Sequence, residues 1–252
     1  MAFYKMILSY NGAAYAGWQI QKNANTIQAE LEKAMLAVTG ETIRATASGR
    51  TDAGVHALGQ VVSFESQTRL SPDTLRRAIN ANLPLDICVL EVQPAPERFH
   101  AIADAVKKRY RYLIQDGRLT DVFAAELTWR IPQPLDVEAM REAAKHLVGK
   151  HNFSSFEAAG SERLSSVRTI LDLTVGRMET DHLSRVAIEV EADGFLYNMV
   201  RIIVGTLAKV GQGRESPGWV GRVLAAEHRP LAGATAPPQG LYLVRVDYPL
   251  SS

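Results

Sequence analysis

One cysteine in 252 residues, Cys88, rules out an internal disulfide framework and a thiolate metal cluster within a single chain. It lies in the apolar run Ile87-Cys88-Val89-Leu90, where a core position is expected. An excess of one charge is missing too, because 28 Lys and Arg stand against 27 Asp and Glu, a net charge of +1. A polyanion would have to be met by segregated charge rather than by a basic whole. Long hydrophobic runs are also lacking. The N-terminus has no apolar h-region and the most apolar helical stretch is interrupted by Arg201, which speaks against a signal peptide and a membrane span. A cytoplasmic protein is expected. Aromatic residues make up only 7%, yet 46% of residues are hydrophobic and 22% charged, proportions that let a globular chain bury a real core as one large domain or two small ones.

What is present has a repeating order. Residues 3–9 suit an opening strand. A helix follows, with Asn25 as its N-cap, Gln28 three residues later, an apolar face of Ile27, Leu31, Ala34, Met35 and Val38, and Gly40 as its stop. Residues 42–47 and 60–65 read as strands joined by a glycine-rich loop. Ser71-Pro72 is a cap followed by proline in the first turn, with Leu75, Ile79 and Leu83 as the stripe of the helix it starts. Residues 87–92 close the unit. The remainder predicts strands near 108–115, 167–177, 183–192 and 241–247, and helices near 136–148, 194–210 and 216–226. Two βαββαβ-like units with antiparallel sheets explain this better than alternating βα units. Their expected extents are 1–104 and 105–252, with the proline-bearing stretch 92–96 as the hinge region and a groove between the halves as the place for a site.

Three stretches have side chains suited to chemistry. Gly49-Arg50-Thr51-Asp52-Ala53-Gly54-Val55-His56-Ala57-Leu58-Gly59 puts three glycines between two strands, so the backbone bends tightly and presents short side chains at its tip. By spacing alone, a turn in which Asp52 caps backbone amides and Arg50 is solvated explains it better than a catalytic loop. A metal held by Asp52 and His56 lacks a third or fourth ligand nearby. Lys107-Lys108-Arg109-Tyr110-Arg111 places four cations around one ring, either a solvated strand end or a basic patch. Arg201 shares a helical stripe with Asn198 and Gly205, a small polar face that another segment can approach closely. Phe153 and Phe156, three apart, suit a core better than base stacking.

The run 49–59 resembles the signature of the tRNA pseudouridine synthase A family. Four further blocks match that family in order: Tyr15-Ala16-Gly17-Trp18-Gln19, then 107–112 (Lys-Lys-Arg-Tyr-Arg-Tyr), then 194–201 (Gly-Phe-Leu-Tyr-Asn-Met-Val-Arg) with Gly205-Thr206-Leu207, and Ala236-Pro237-Pro238-Gln239-Gly240-Leu241. The similarity covers essentially the whole chain. Two departures stand out, Asn11 where the family usually has Asp and Ile102 where it usually has Arg.

The resemblance implies an α+β fold of two ferredoxin-like or RRM-like subdomains, and an isomerase that needs neither redox cofactor nor metal. Its implied substrate is tRNA, at uridines on the 3′ side of the anticodon stem-loop, and its implied active form is a homodimer cradling one tRNA. Asp52 becomes the catalytic carboxylate, either nucleophile at C1′ or base toward a ribose proton. Arg201 becomes its ion-pair partner, and Tyr110 the ring that stacks on a flipped-out base, with Tyr112 left to the core. Arg50, Lys107, Lys108, Arg109 and Arg111 become phosphate contacts, Leu243 an aliphatic contact to the base, and His56 a further substrate-binding candidate. Two other readings compete. A non-catalytic binder of structured RNA would not need Asp52 or Arg201, and a metal-dependent hydrolase would lose activity to a chelator.

Overall fold

The computed structural model describes residues 1–160, 165–179 and 183–249. The described chain is mixed α+β with mostly antiparallel strand pairs, and it clusters into two compact units. Met1–Val106 and the segment beginning at Tyr242 form the first, Lys107–Leu241 the second.

The first unit runs β1 (Ala2–Tyr10), α1 (Ile27–Thr39), β2 (Thr46–Ala47), β3 (His56–Ser66), α2 (Pro72–Asn80) and β4 (Ile87–Pro94). β1 is its middle, antiparallel to β3 on one side and to β4 on the other. Alternate residues of β1 face in, and Met6 and Leu8 are wholly buried with Ile27, Leu31 and Met35 of α1 and Leu75 and Ile79 of α2. That is the period of two along a strand meeting the 3.6 period of the helices.

Local signals set most boundaries. Ser71 Oγ accepts the Thr74 N–H at 3.3 Å to start α2, and Gly40, at φ 72°, ends α1 in the left-handed region that glycine adopts without strain. The cap of α1 is Thr26 rather than Asn25; its Oγ1 accepts the Ala29 N–H. The Gln28 side chain is buried and donates to Glu32 and the Ala45 carbonyl instead of closing a capping box. The strand expected over 42–47 shrinks to two residues for the same reason: the N–H of Ala45 goes to Glu32 and its carbonyl to Gln28, so helix side chains replace ladder bonds. The expected hinge over 92–96 is largely paired strand, since Val92, Gln93 and Pro94 sit opposite Met6, Lys5 and Tyr4 and the Ala95 N–H bonds the Phe3 carbonyl. Cys88 is exposed, not core. β4 is the edge strand, and its alternation sends Ile87 and Val89 inward and Cys88 outward.

The second unit runs β5 (Lys107–Asp116), β6 (Trp129–Ile131), α3 (Val137–Ala144), β7 (Gly149–Asn152), β8 (Val167–Glu179), β9 (Ser184–Ala192), α4 (Met199–Gly211) and α5 (Pro217–Ala225). Its sheet is ordered β5-β9-β8-β7, all antiparallel, with β6 added in parallel to β5. Strands β6 and β7 have no counterpart in the simple repeat read from the sequence. Helix α4 starts at Met199 rather than near 194 because Asn198 adopts φ 59° and turns the chain into the first turn. Tyr112, Ile114, Met140, Leu147, Phe153, Phe156, Ile202, Ile203 and Leu207 are wholly buried, so both phenylalanines are core.

The last strand, β10 (Leu241–Asp247), pairs in parallel with β3 through Tyr242 opposite His56 and Leu243 opposite Ala57. The sequence assigns this strand to the second half. Its pairing and the Val106 N–H to Asp247 carbonyl bond assign it, from Tyr242 on, to the first unit. Among the described residues no helix is long and apolar enough to cross a membrane.

Candidate active site

In the first unit, the loop before β3 is held from two sides. Asp52 is half-buried at its bend, Arg50 is exposed, and Thr51 is buried behind them. The Val55 N–H bonds back to the Asp52 carbonyl at 3.1 Å, which closes the turn. The Trp18 N–H bonds the Thr51 carbonyl and the Gly54 N–H bonds the Tyr15 carbonyl, so the 15–19 segment lies directly against the loop. Gly17 permits that approach at φ +98°; a Cβ there would meet the Thr51 carbonyl oxygen at 2.6 Å.

Behind Thr51 is a buried polar network with a definite direction. The Gly49 carbonyl can only accept, so the Gln60 side-chain atom 2.9 Å away is the NH2 group, and Gln60 Oε1 accepts from Ser48 Oγ at 2.7 Å. The same NH2 also lies 3.4 Å from the Tyr10 oxygen, which leaves the Tyr10 hydroxyl to donate to Thr51 Oγ1 at 2.8 Å. Burial pushes the Tyr10 phenol up to about 12, so it keeps that proton at neutral pH.

His56 is 1% exposed, its Nδ1 accepts the Gly12 N–H at 3.1 Å, and its ring stacks on Tyr242 at 4.7 Å. In this arrangement the ring is a brace of the loop rather than an open substrate contact. Leu243, beside Ala57, is wholly buried in the sheet. The two departures from the family pattern are mild here. Asn11 Oδ1 accepts the Ala13 N–H, as a carboxylate could, and Ile102 is exposed in a turn.

In the second unit, β5 sorts the basic run onto two faces. Tyr112 is buried, its hydroxyl donating to the Pro237 carbonyl at 2.7 Å. Tyr110, of the same parity, is half-buried with its ring edge-on to Phe195 at 5.0 Å. Lys107, Arg109 and Arg111 project from the other face, where they meet carboxylates. Lys107 pairs with Glu191 at 2.8 Å, Arg109 with Asp172, Glu189 and Glu191 at 2.9, 2.9 and 3.1 Å, and Arg111 with Glu189 at 2.6 Å. Hydrogen bonding from Lys107, then from Arg109 against the opposing cost of burial, holds the Glu191 carboxyl down at about 2. The expectation that these cations are open phosphate contacts therefore meets a physical obstacle: three carboxylates already balance them, a register no sequence pattern exposes.

Arg201, on α4, is aimed by its own helix and by the 233–236 segment. Its Nη1 donates to Asn198 Oδ1 at 2.8 Å and its Nε to the Ala236 carbonyl at 2.7 Å, while the Ala236 N–H returns to the Arg201 carbonyl at 3.0 Å. The close approach expected at Gly205 is real, since a Cβ there would sit 1.8 Å from the Ala234 carbonyl oxygen. Among the described residues no group of three or more His, Cys, Asp or Glu is arranged around a metal position.

The sequence had singled out 15–19 without a role and passed over Tyr10, Gly12 and Gln60. The only signal for them was the glycine pair at 12 and 17 ahead of the first helix, positions where a backbone must come close to something.

A half-buried carboxylate on a braced loop is a group that acid-base or nucleophilic chemistry can use. The comparisons fit. The family model described as tRNA pseudouridine synthase matches residues 6–102 and 143–249. The tRNA pseudouridine synthase A of Syntrophomonas wolfei is 46% identical over 252 residues, covering 100% of both chains. That of Thermoanaerobacter sp. strain X514 is 45% identical over 243 residues, 96% of this chain and 98% of its own, and that of Listeria monocytogenes serotype 4a is 44% identical over 250 residues, 98% and 100%. The chain belongs to the tRNA pseudouridine synthase A family, isomerases that convert uridine to pseudouridine. A chain in the crystal structure of a Cbf5-Nop10-Gar1 complex resembles this one at TM-score 0.35 and 12% identity, over 95% of this chain and 57% of that one, too remote to carry an argument.

Proposed function

We propose that this chain isomerises uridines on the 3′ side of the tRNA anticodon stem-loop, as a cytoplasmic homodimer, with the carboxylate of Asp52 as the reacting group. The N1–C1′ glycosidic bond of the target breaks, the uracil turns, and a C5–C1′ bond forms while C5 loses its proton and N1 takes one up. Composition and oxidation state are unchanged, so no redox partner enters. Asp52 acts as nucleophile at C1′ or as base toward a ribose proton. Tyr110 stacks on the extruded base, where an aromatic contributes about 1–3 kcal/mol and offsets the cost of unstacking. Arg201 is the accompanying cation, and exposed Arg50 approaches the backbone of the flipped nucleotide.

The observation that carries the reading is the loop itself. Thr51 and Gly54 are bonded on either side of Asp52, so its backbone is held still while its side chain remains half-accessible. Preorganisation of this kind is what a carboxylate needs to act without moving in the reaction.

Pseudouridine mapping on unmodified tRNA transcripts tests it, comparing wild type with Asp52→Asn in a chelator. Wild type forms pseudouridine in the anticodon arm, and the variant binds tRNA without modifying it. Binding without modification by wild type would leave the non-catalytic RNA binder as the function; loss of wild-type activity to the chelator would point to a metal enzyme.

A further inference from the structure

A protein that grips RNA needs cations whose charge is not already balanced, and Lys107, Arg109 and Arg111 on β5 are balanced by Glu189, Glu191 and Asp172. Arg229 is different. It opens the short helical turn Arg229–Leu231 after α5 and is partly buried. Its Nη1 donates to the Gly233 carbonyl at 3.0 Å and its Nη2 to Thr235 Oγ1 at 3.2 Å, both neutral acceptors, and among the described residues no carboxylate pairs with it. Burial alone pushes the guanidinium down from its ordinary value, with no carboxylate to offset it. Arg130 also bonds only neutral oxygens, but it spends all three nitrogens on them: Thr120, Gln115, Ile131 and Gly117. Arg229 uses two of its five N–H donors this way.

The position matters as much as the charge. Segment 233–236, which Arg229 holds, is sewn onto α4: the Gly233 N–H donates to Thr206 Oγ1 at 2.9 Å, a Cβ on Gly233 would meet Gly205 and Thr206 backbone at 2.5 Å, and Ala236 bonds Arg201 twice. Arg229 and Arg201 thus bond the same short segment, Arg229 at Gly233 and Thr235 and Arg201 at Ala236. A cation already stripped of part of its water and lacking a counter-ion gains more from an arriving anion than a solvated surface arginine does.

We propose that Arg229 is a binding site for a phosphodiester of the RNA substrate's backbone, taken by the unspent N–H donors of its guanidinium. The inference rests on the proposed reading of tRNA as the substrate. The contact positions the strand and carries no sequence information, in keeping with a planar fork that suits two phosphate oxygens at once.

The test is the salt dependence of binding to an unmodified tRNA transcript. Loss of one phosphate contact lowers the slope of log K against log salt by about 0.7–0.9, so Arg229→Gln loses about threefold less affinity than wild type between 50 and 200 mM salt. Arg229→Lys keeps the slope. Thr235→Val, which loosens the segment without changing charge, also keeps it. An unchanged slope in Arg229→Gln, whatever its affinity or turnover, overturns the proposal while wild-type modification of tRNA leaves the functional reading intact. Failure of wild type to bind tRNA in a salt-dependent way sinks both.

Discussion

The N–H of Gly12 donates to Nδ1 of His56 over 3.1 Å, tying the end of the first strand to the far shoulder of the loop that carries Asp52. Gly12 itself is pressed so closely on that shoulder that a Cβ would lie 2.0 Å from the Val55 carbonyl oxygen. Because Nδ1 accepts, the proton of the neutral ring is on Nε2.

Replacing His56 by Asn keeps an acceptor near the place of Nδ1, whereas Phe keeps only the flat ring against Tyr242. Losing a buried hydrogen bond costs about 1–3 kcal/mol, so His56→Phe lowers kcat about tenfold with KM for tRNA little changed, and His56→Asn recovers most of it. Steady-state kinetics on the three proteins decides this. A larger loss in the Asn variant than in the Phe variant would mean that ring stacking, not the bond to Gly12, holds the loop.

Gly205→Ala drives a methyl group into the Ala234 carbonyl, and neither backbone can yield without lifting segment 233–236 from α4. Overpacking of this kind costs about 1–3 kcal/mol. Because the same segment aims Arg201 through Ala236, turnover falls together with Tm. Thermal unfolding and single-turnover assays at a temperature where the variant is fully folded separate the two effects; a variant that keeps full turnover there would show that Ala236 does not aim Arg201.

The ladder on β5 predicts an acid-sensitive contribution to stability. The Glu191 carboxyl is held below its ordinary value of 4.5, at about 2, so its stabilisation is present above 4.5 and disappears as pH falls through that window. Glu191 is 7% exposed, and the contribution is on the order of 1–3 kcal/mol after allowance for solvent screening. Urea unfolding of wild type between pH 5 and about 2 shows a steep decline that Glu191→Gln, already weaker at neutral pH, largely lacks. Parallel pH curves for the two proteins would remove Glu191 as the group responsible.

Much of this was legible in order along the chain. Ser71-Pro72 and Gly40 mark real helix ends, and the 3.6-residue stripe of Asn198, Arg201 and Gly205 correctly announces a face that another segment approaches, because those relations depend on neighbours within a few residues. The acidic partners of Lys107 and Arg109 were not legible. Glu191 is 82 residues from Arg109, and only the register of β5 against β9 brings them together. Cys88 and β10 were misread for the same reason, since an edge position and a pairing partner are properties of a sheet and not of a segment.

The sequence by itself determined that the chain is an α+β member of the tRNA pseudouridine synthase A family and that Asp52 lies on a glycine-bounded bend. Glycine placement, caps and hydrophobic period are local, and short-range sterics and hydrogen bonding dictate them. Tertiary structure alone decided that His56 and Tyr10 brace that bend and that Lys107, Arg109 and Arg111 on β5 are balanced by carboxylates. Each is a contact between residues far apart in the chain, and whether a charge is paired or a ring covered depends on which distant segments the packing of the core brings against it.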